Sequence, residues 1–380
     1  MIIELHLLQS FPVSNLNRDD VGQPKTATFG GSTRGRISSQ CLKRSARLLF
    51  TEHGLGEHET GVRTKRLRDG AAKLLAERGH DERTAPAVVT AGLEQLGFGV
   101  DQAKGLTEYL LFVGRTAVDH LADYCDRDWD ALAAAAAAKD GKRKPAKAKP
   151  DKNALAEARR MLDATRAADV ALFGRMIADN KDFSVDAASQ VAHALSTHAV
   201  ATEFDFYTAV DDLKPDAEAG ADMIGTVDFN AACYYRYANL DLGRLRGNLD
   251  GDEPLAGRAA RAWLGAFIHA VPSGKQNSMA ARTLPDTLLA VVREAGAWNL
   301  ANAFLKPVTE TDDTDLMAAS TDRLAGHLRR LRDFYGEGGI RATVAASVSG
   351  TVPHTADGDL AGSVGEFTSR VLDAAGVFAA

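Results

Sequence analysis

Residues Ser14 to Arg47 read SNLNRDDVGQPKTATFGGSTRGRISSQCLKRSAR, and they decide how the rest of the chain is interpreted. An apolar run, Ile2 to Leu8, comes just before them and is predicted to form the first β-strand. The breaks at Pro24 and at the pair Gly30-Gly31 predict a loop in the middle of the stretch, because adjacent glycines permit positive φ and a close backbone approach.

A helix is predicted directly after this loop. Ser38 or Ser39 is expected to cap it, and it should run to about Phe50. At helical spacing its residues separate into two faces. The polar face consists of Gln40, Lys43, Arg44 and Arg47, and the buried face of Cys41, Leu42, Leu48 and Leu49.

Positive charge is concentrated in this stretch, although the chain as a whole has a formal net charge of −6. Its cations are Arg18, Lys25, Arg34, Arg36, Lys43, Arg44 and Arg47, opposed only by Asp19 and Asp20. A helix N-terminus behind a glycine pair, with cations on both sides, suits the binding of phosphate groups. The alternative interpretation is an ordinary helix with a solvated basic face.

The composition is that of a globular protein, with 45% hydrophobic and 25% charged residues among 380. The three cysteines are odd in number and far apart, which favours reduced thiols in the cytoplasm and disfavours a disulfide framework or a zinc site. No apolar run approaches the roughly 20 residues that span a bilayer. No signal peptide is visible, so we expect a cytoplasmic protein without a membrane segment.

A block of helices is predicted from Thr64 to about Asp169, as an insertion into a domain that contains a sheet. The predicted helices are Arg66 to Arg78, Ala85 to Leu96, Leu106 to Tyr124 and Leu155 to Ala167. The segment 133–152 is rich in alanine and then in lysine, with two prolines, and is expected to be a mobile loop.

The rest of the chain mixes strands and helices. Phe204 to Val210 and Thr226 to Tyr237 have strand composition and flank a polar segment, Lys214 to Met223, which predicts a long hairpin arm. The other predictions are a helix over Val185 to His198, a core strand over Tyr234 to Leu242, a helix over Leu255 to Ala270, a strand over Thr287 to Val292, a helix over Leu316 to Tyr335, and a weakly patterned tail from Ile340. This order indicates an α+β fold with insertions.

Three motifs behind the first strand carry a family resemblance: SNLNRDD, PKTATFGG and RISSQCLKR. In this order and spacing they resemble the CasC family, the backbone subunit of the type I-E CRISPR surveillance complex, Cascade. Further matches occur at LFGRM, FYTAVDDL, YYRYANLDL and VPSGKQNS, so the resemblance covers most of the chain.

The resemblance implies a modified RNA-recognition-motif (ferredoxin-like) palm, a large helical insertion called the fingers, and a β-hairpin thumb. The implied boundaries are palm 1–60, fingers 61–170, palm 171–199, thumb 200–233 and palm 234–380. It also implies a scaffold without catalytic activity, cofactor or metal. About six copies would polymerise along one CRISPR RNA, present it for pairing with target DNA, and contact the other Cascade subunits.

Candidate RNA-binding residues follow from the basic stretch and from the resemblance. The contacts to the RNA backbone are expected at Arg18, Lys25, Gly30, Gly31, Arg34, Arg36, Ser38, Gln40, Lys43, Arg44, Arg47 and Lys275. By resemblance, a base is displaced by Met176, Phe206, Tyr207, Thr208 and Ile224. Without the resemblance, packing inside a hairpin explains the aromatic residues equally well.

No catalytic signature is complete: the chain has no full P-loop, no GxSxG motif and no histidine pair at metal-binding spacing. His193, His198 and Tyr207 could act as acids or bases, but isolated histidines are more often structural. The competing function is a metal-dependent ribonuclease that uses Asp19 or Asp20, since adjacent loop carboxylates can hold Mg²⁺. We interpret this pair as an ion-pairing and turn motif.

Overall fold

The computed structural model describes residues 1–101, 103–138, 152–177, 183–209, 223–311 and 313–377. Helices and antiparallel strands are mixed along the chain, which confirms the predicted α+β class. The chain divides into two compact units. The first comprises Met1–Gly54, Ser189–Gly243 and Ala260–Ala380, and the second comprises Leu55–Ala188 and Arg244–Ala259. None of the described helices is long and apolar enough to cross a membrane.

The described strands are β1 (Ile2–Ser14), β2 (Thr26–Phe29), β3 (Ser32–Ile37), β4 (Val62–Thr64), β5 (Val100–Asp101), β6 (Leu106–Thr107), β7 (Leu111–Val113), β8 (Ser189–Val191), β9 (Ala194–Ser196), β10 (Glu203–Ala209), β11 (Met223–Asp241), β12 (Thr287–Arg293) and β13 (Ile340–Ser347). The described helices are α1 (Ser39–Leu48), α2 (Leu67–Glu77), α3 (Ala85–Gln95), α4 (Ala117–Arg127), α5 (Trp129–Ala137), α6 (Lys152–Met161), α7 (Ala168–Phe173), α8 (Leu242–Asn248), α9 (Glu253–His269), α10 (Gln276–Met279), α11 (Leu316–Tyr335) and α12 (Val364–Ala374). Short 3-10 turns lie at Glu57–Glu59, Leu300–Phe304 and Asp357–Asp359.

The first unit is built on one antiparallel sheet in the order β13-β12-β1-β11-β9-β3-β2, with β8 and β10 also paired to β11. Strand β1 is central and buried on both faces, because its apolar run is nearly continuous. On one face Leu8 packs with Leu324 and Leu328 of α11. On the other, Arg236 donates to the carbonyl of Phe267 in α9.

The second unit is mainly helical. Its core brings together Leu75 of α2, Val88 of α3, Leu121 of α4 and Met161 of α6, all of them buried. Two small sheets, β4 with β7 and β5 with β6, complete it. The helices α2, α3 and α6 correspond to predicted ones. The predicted helix from Leu106 to Tyr124 is wrong in its first half, where β6 and β7 precede α4.

The predicted helix over Val185 to His198 is wrong. Its apolar residues fit a helical spacing, but the segment forms β8 and β9, whose hydrogen bonds go to distant strands. Gln190 lies opposite Asn239 of β11, and Leu195 lies opposite Tyr235. Pairing with a long central strand therefore overrides the local pattern, as is common for β-structure.

The C-terminal tail has more structure than its weak pattern indicated, since β13 pairs along β12 and α12 packs against both strands. Ala133 to Ala137 belong to α5 instead of the predicted loop, whose remainder at 139–151 lies outside the described residues. The predicted helix Leu316–Tyr335 is confirmed to the residue, and the first strand is confirmed but longer. The expected domain boundaries stay a prediction.

Candidate nucleic-acid interface

The SNLN motif holds the basic stretch against the sheet. Asn15 donates through Nδ2 to the carbonyls of Gly22 and Asp228, both at 2.9 Å. Asn17 accepts the backbone N–H of Ser38 at 2.8 Å through Oδ1. The loop after β1 is thereby fixed to β11 by one asparagine and to the start of α1 by the other.

Asp19 closes a turn within this loop. Its Oδ1 accepts the backbone N–H groups of Val21 at 3.0 Å and of Gln23 at 2.8 Å. Carboxylates that accept backbone N–H groups two and four residues ahead stabilise turns. Among the described residues, no group of three or more His, Cys, Asp or Glu side chains is arranged to hold a metal ion.

The predicted loop around the glycine pair is a β-hairpin, in which β2 and β3 pair from Thr26↔Gly35 to Phe29↔Ser32. Gly30 and Gly31 form its tip with φ of 59° and 75°, the left-handed values that the turn requires. A Cβ on Gly30 would lie 1.7 Å from the carbonyl oxygen of Leu305. The need for glycine at position 30 is therefore explained by packing within the chain.

Arg34 is fully buried, contrary to the prediction that it contacts RNA. Its Nη1 donates to the carbonyl of Ser196 at 3.0 Å and its Nη2 to that of Phe304 at 2.7 Å. Burial, and then the charge of Arg323, lower the pKa of Arg34. This guanidinium anchors the hairpin and is not available to a bound strand.

Arg323 binds the turn at residues 304–307, which also contains the carbonyl of Phe304 that accepts from Arg34. Its Nη1 donates to the carbonyl oxygens of Lys306 at 2.6 Å and Pro307 at 3.3 Å. Arg34 also reaches the carbonyl of Leu305, at 3.4 Å. Two arginines thus take up four consecutive backbone carbonyls, those of residues 304–307, directly beneath the hairpin tip.

Helix α1 begins as predicted, with Ser38 as its N-cap. The Ser38 hydroxyl accepts the N–H of Cys41 at 3.3 Å, while Leu42 is buried. Leu48 was expected on the buried face, but it is 56% exposed. The reason is its position four residues after the exposed Arg44, on the same stripe of the helix.

Three cations gather around the first turn of α1. Burial lowers the pKa of His193, and the charges of Arg36 and Lys25 lower it further. Burial raises the pKa of the Cys41 thiol, and here Arg44 and then Lys25 act in the opposite direction. Two of the cations are joined through their backbone, since the N–H of Arg36 donates to the carbonyl of Lys25 at 2.8 Å, and Arg36 lies two residues before the cap Ser38. Arg44 lies three residues after Cys41 on α1. We call Lys25, Arg36, Gln40 and Arg44 the basic corner.

The basic corner also contains an open backbone donor. In the first turn of α1 the N–H of Ser39 donates to His193, and those of Cys41 and Leu42 donate to Ser38. Within the described part of the chain, the N–H of Gln40 has no partner. Helix N-termini with open N–H groups attract phosphate, and the nearby cations add to this attraction.

The other cations between Ser14 and Arg47 that were predicted to contact RNA lie near the basic corner in sequence, but they differ in exposure. Arg18 is exposed and forms a bridge with Pro24 across the loop. Lys43 and Arg47 are half-buried on α1.

The loop of Lys275 packs against the same stretch. A Cβ on Gly274 would lie 2.3 Å from the carbonyl oxygen of Leu16. Gln276 closes the loop by donating to the carbonyls of Pro272 and Ala281, and Lys275, with φ of 52°, is half-exposed. The structure thus brings the VPSGKQNS motif beside the SNLN motif, although the two are far apart in sequence.

The hairpin arm forms as predicted, with β10 paired antiparallel to β11. Phe206 is 59% exposed, and Tyr207 is 44% exposed beside its strand partner Gly225. Thr208 is exposed and pairs with Ile224, of whose side chain nothing is described. This exposure argues against packing within the hairpin as the role of Phe206, whereas the ring of Tyr207 lies over Gly225. The predicted tip falls largely on 210–222, outside the described residues.

Met176 belongs to the second unit and is 87% exposed. The residue before it is well anchored: Arg175 donates through Nη1 to the carbonyls of Phe112 at 3.1 Å and Leu162 at 2.8 Å. Burial lowers the pKa of Arg175 to about 10. A half-buried anchor next to an exposed side chain fixes the position from which Met176 projects.

Sequence reasoning missed the structural roles of Asn15 and Asn17, although both lie in a motif that carries the family resemblance. Asparagines in a loop directly before a predicted cap are a usable signal, because they commonly bond to neighbouring backbone. It also missed the contact between His193 and Ser39, for which no sequence signal exists across 154 residues.

The chain belongs to the Cas family of CT1975-like proteins, whose model matches residues 3–370. A solved structure described as "CRISPR RNA-guided surveillance complex, pre-nicking" contains a similar chain, with 34% identity and a TM-score of 0.83, covering 99% of this chain and 100% of that one. A second, described as "CRISPR RNA-guided surveillance complex", is 29% identical with a TM-score of 0.74, covering 98% and 100%. No curated protein matches the sequence.

Proposed function

We propose that this protein is a backbone subunit of a CRISPR surveillance complex of type I-E, in which copies of it hold one guide RNA. The observation that carries the proposal is the basic corner: Lys25 and Arg36 are joined through their backbone just before the N-cap of α1, and Arg44 lies on α1, in a chain of net charge −6. The family membership and the likeness to chains of RNA-guided surveillance complexes agree with it.

The topology of the first unit supports a palm of the ferredoxin-like type. The strands β12, β1, β11 and β9 are neighbours in that order, α1 follows β1, and α9 follows β11. A β-α-β-β-α-β succession with this order is the ferredoxin-like arrangement. In this assignment the second unit corresponds to the fingers, and β10 with β11 to the thumb.

The basic corner suits recognition of the RNA backbone instead of its bases. Cations and open backbone N–H groups bind phosphate without reading sequence. In RNA-guided complexes the sequence is read by base pairing between guide and target, so the protein must leave the base edges accessible. The target DNA is then a partner through the guide, and the protein itself is a scaffold.

The arm supports assembly of copies along the guide. Phe204 and Phe206 are 73% and 59% exposed, and large apolar side chains exposed next to each other mark interaction sites. We propose that the arm contacts the next copy and the guide between them, with about six copies per complex as in the family that the motifs resemble, together with the other Cascade subunits.

The role of Asp19 favours the scaffold over the ribonuclease. Its Oδ1 already accepts two backbone N–H groups, and a metal ion would have to compete with this turn. We therefore expect purified protein, with Mg²⁺ and labelled single-stranded RNA, to leave the RNA intact. Cleavage that is lost in Asp19→Asn or Asp20→Asn would overturn the scaffold proposal.

Native mass spectrometry with and without guide RNA tests assembly directly. We expect masses that correspond to several copies on one full-length guide, and fewer copies on a guide cut to half its length. A single copy per RNA at every length would contradict the backbone role, and binding to the RNA would then have to serve another purpose.

The backbone contacts are tested by the double variant Lys43→Ala with Arg47→Ala. We expect weaker binding to every RNA sequence, because phosphate contacts carry no sequence information. Removing one phosphate-binding cation should reduce the slope of log affinity against log salt by about 0.7 on a single strand. Filter binding at several salt concentrations measures this, and an unchanged slope would exclude both residues from the interface.

A further inference from the structure

His193 lies in the short connection between β8 and β9, with its side chain exposed beside the basic corner. Its Nδ1 accepts the backbone N–H of Ser39 at 2.9 Å. Ser39 is the first residue of α1, so this imidazole joins the sheet to the helix start. His193 is not among the RNA-backbone contacts expected from the sequence.

The hydrogen bond fixes the chemical state of the ring. A backbone N–H can only donate, so Nδ1 must present its lone pair, and in the neutral ring the proton is then on Nε2. Partial burial, and then the charges of Arg36 and Lys25, lower the pKa of His193, which favours the neutral ring. The Nε2–H is therefore a donor with a fixed direction, set among cations.

Nothing in the described structure uses this donor. The Ser39 N–H donates to the ring, and the two charges that lower the pKa of His193 are both cations, Arg36 of β3 and Lys25 next to β2. A donor surrounded by donors attracts an acceptor from outside the chain. The oxygens of a sugar–phosphate backbone are such acceptors, and the same cations attract that backbone.

We propose that His193 is a further RNA-binding residue, whose Nε2–H donates to an oxygen of the sugar–phosphate backbone of the strand held at the basic corner. This rests on the proposed function. The acceptor is a phosphate oxygen or a ribose 2′-hydroxyl, which present the same chemistry to an N–H donor. Because the ring is bonded to Ser39, the contact also aligns the strand with the start of α1.

Two substitutions distinguish the roles of the two ring nitrogens of His193. In His193→Asn the end of the side chain falls near the position of Nδ1, so the bond to Ser39 can persist while the outer donor is lost. In His193→Gln the side-chain amide reaches near the position of Nε2, so the outer donor is kept. We expect roughly 3–10-fold weaker RNA binding for His193→Asn, the effect of one neutral hydrogen bond, and a smaller loss for His193→Gln.

The matched control is Lys25→Gln, which removes a charge from the same corner. It should weaken binding and reduce the salt slope by about 0.7, whereas His193→Asn should leave the slope unchanged because no counterion is involved. Thermal unfolding of all three variants verifies that they are folded. A strand of 2′-deoxynucleotides identifies the acceptor: the loss caused by His193→Asn persists on it if a phosphate accepts, and disappears if the 2′-hydroxyl accepts.

The outcomes distinguish the two proposals. If Lys25→Gln weakens binding and folded His193→Asn binds like the wild type, the role of His193 is refuted and the proposed function stands. If His193→Gln loses as much affinity as His193→Asn, the outer donor is irrelevant and the inference also fails. If wild-type protein does not bind single-stranded RNA, the proposed function fails and this inference fails with it.

Discussion

Two hairpins leave the sheet of the first unit, and they are stabilised in opposite ways. In the β2–β3 hairpin, Arg34 is fully buried and the tip at Gly30 lies against the backbone of Leu305. In the β10–β11 hairpin, residues 201–208 are all exposed, with Phe204 at 73%. One hairpin is supported by its own chain, and the other presents apolar side chains to water.

The difference separates a surface that hydrogen bonds within the chain preform from a surface that we propose a partner completes. The basic corner gains its shape from hydrogen bonds within the chain, so a strand that bound there would need to impose little order on it. In the described residues the arm has no such support, and Phe204 and Phe206 are exposed. RNA binding by a single copy and assembly of copies should therefore respond to different substitutions.

The largest effect is expected from Gly30→Ala. The added Cβ meets the carbonyl oxygen of Leu305 at 1.7 Å, and φ is 59°, so backbone must move on both sides. We expect a loss of about 3 kcal/mol or more in the free energy of unfolding, measured by urea denaturation.

Gly31→Ala is the matched control for that substitution. Its φ is 75°, but nothing lies within 4 Å of the added Cβ. Only the left-handed strain remains, about 1–2 kcal/mol. Equal losses in the two variants would show that the hairpin tip is not held against Leu305, and the contrast between the two hairpins would then disappear.

A smaller effect is expected from Arg34→Met. The substitution keeps the bulk of the side chain but leaves the buried carbonyls of Ser196 and Phe304 without their donor, at a cost of about 2–4 kcal/mol. Arg36→Met should change the unfolding free energy by at most about 0.5 kcal/mol while lowering RNA affinity and the salt slope. Urea denaturation and filter binding measure the two effects. If Arg36→Met reduced stability and Arg34→Met reduced only RNA affinity, the assignment of the two arginines would be wrong.

The smallest effect on the isolated chain is expected from Phe204→Ser with Phe206→Ser. Both side chains are already exposed, so the unfolding free energy should change by at most about 0.5 kcal/mol. Assembly on a full-length guide should nevertheless decline, as native mass spectrometry would show. Complexes of unchanged copy number would mean that the arm is a surface hairpin with no part in assembly.

Local sequence patterns predicted those elements in which the spacing of apolar residues matches the surface that the element buries. The helix Leu316–Tyr335 buries one stripe that includes Leu324, Ala325 and Leu328, and the first strand has a nearly continuous apolar run. The segment from Val185 to His198 failed because its small apolar residues suit a helix equally well, and only pairing with β11 makes it β-structure.

The site was predictable in charge but not in burial. Arg34 and Arg36 lie on the same side of β3, two residues apart, so alternation along the strand cannot separate them. What separates them is the turn at residues 304–307, which covers Arg34 and leaves Arg36 half-exposed. That turn is 270 residues away in sequence, and no local pattern contains it.

The close contact between Gly30 and Leu305 fixes the length of the β2–β3 hairpin. With the tip held at Leu305 and Arg34 held at Phe304, the hairpin can neither gain a residue nor slide along the sheet without breaking one of these contacts. The spacing from Lys25 to Arg36, and onward to α1, is then the same in every copy of the protein. If copies lined up along a strand, each copy would bind the same number of nucleotides, whatever the nucleotide sequence.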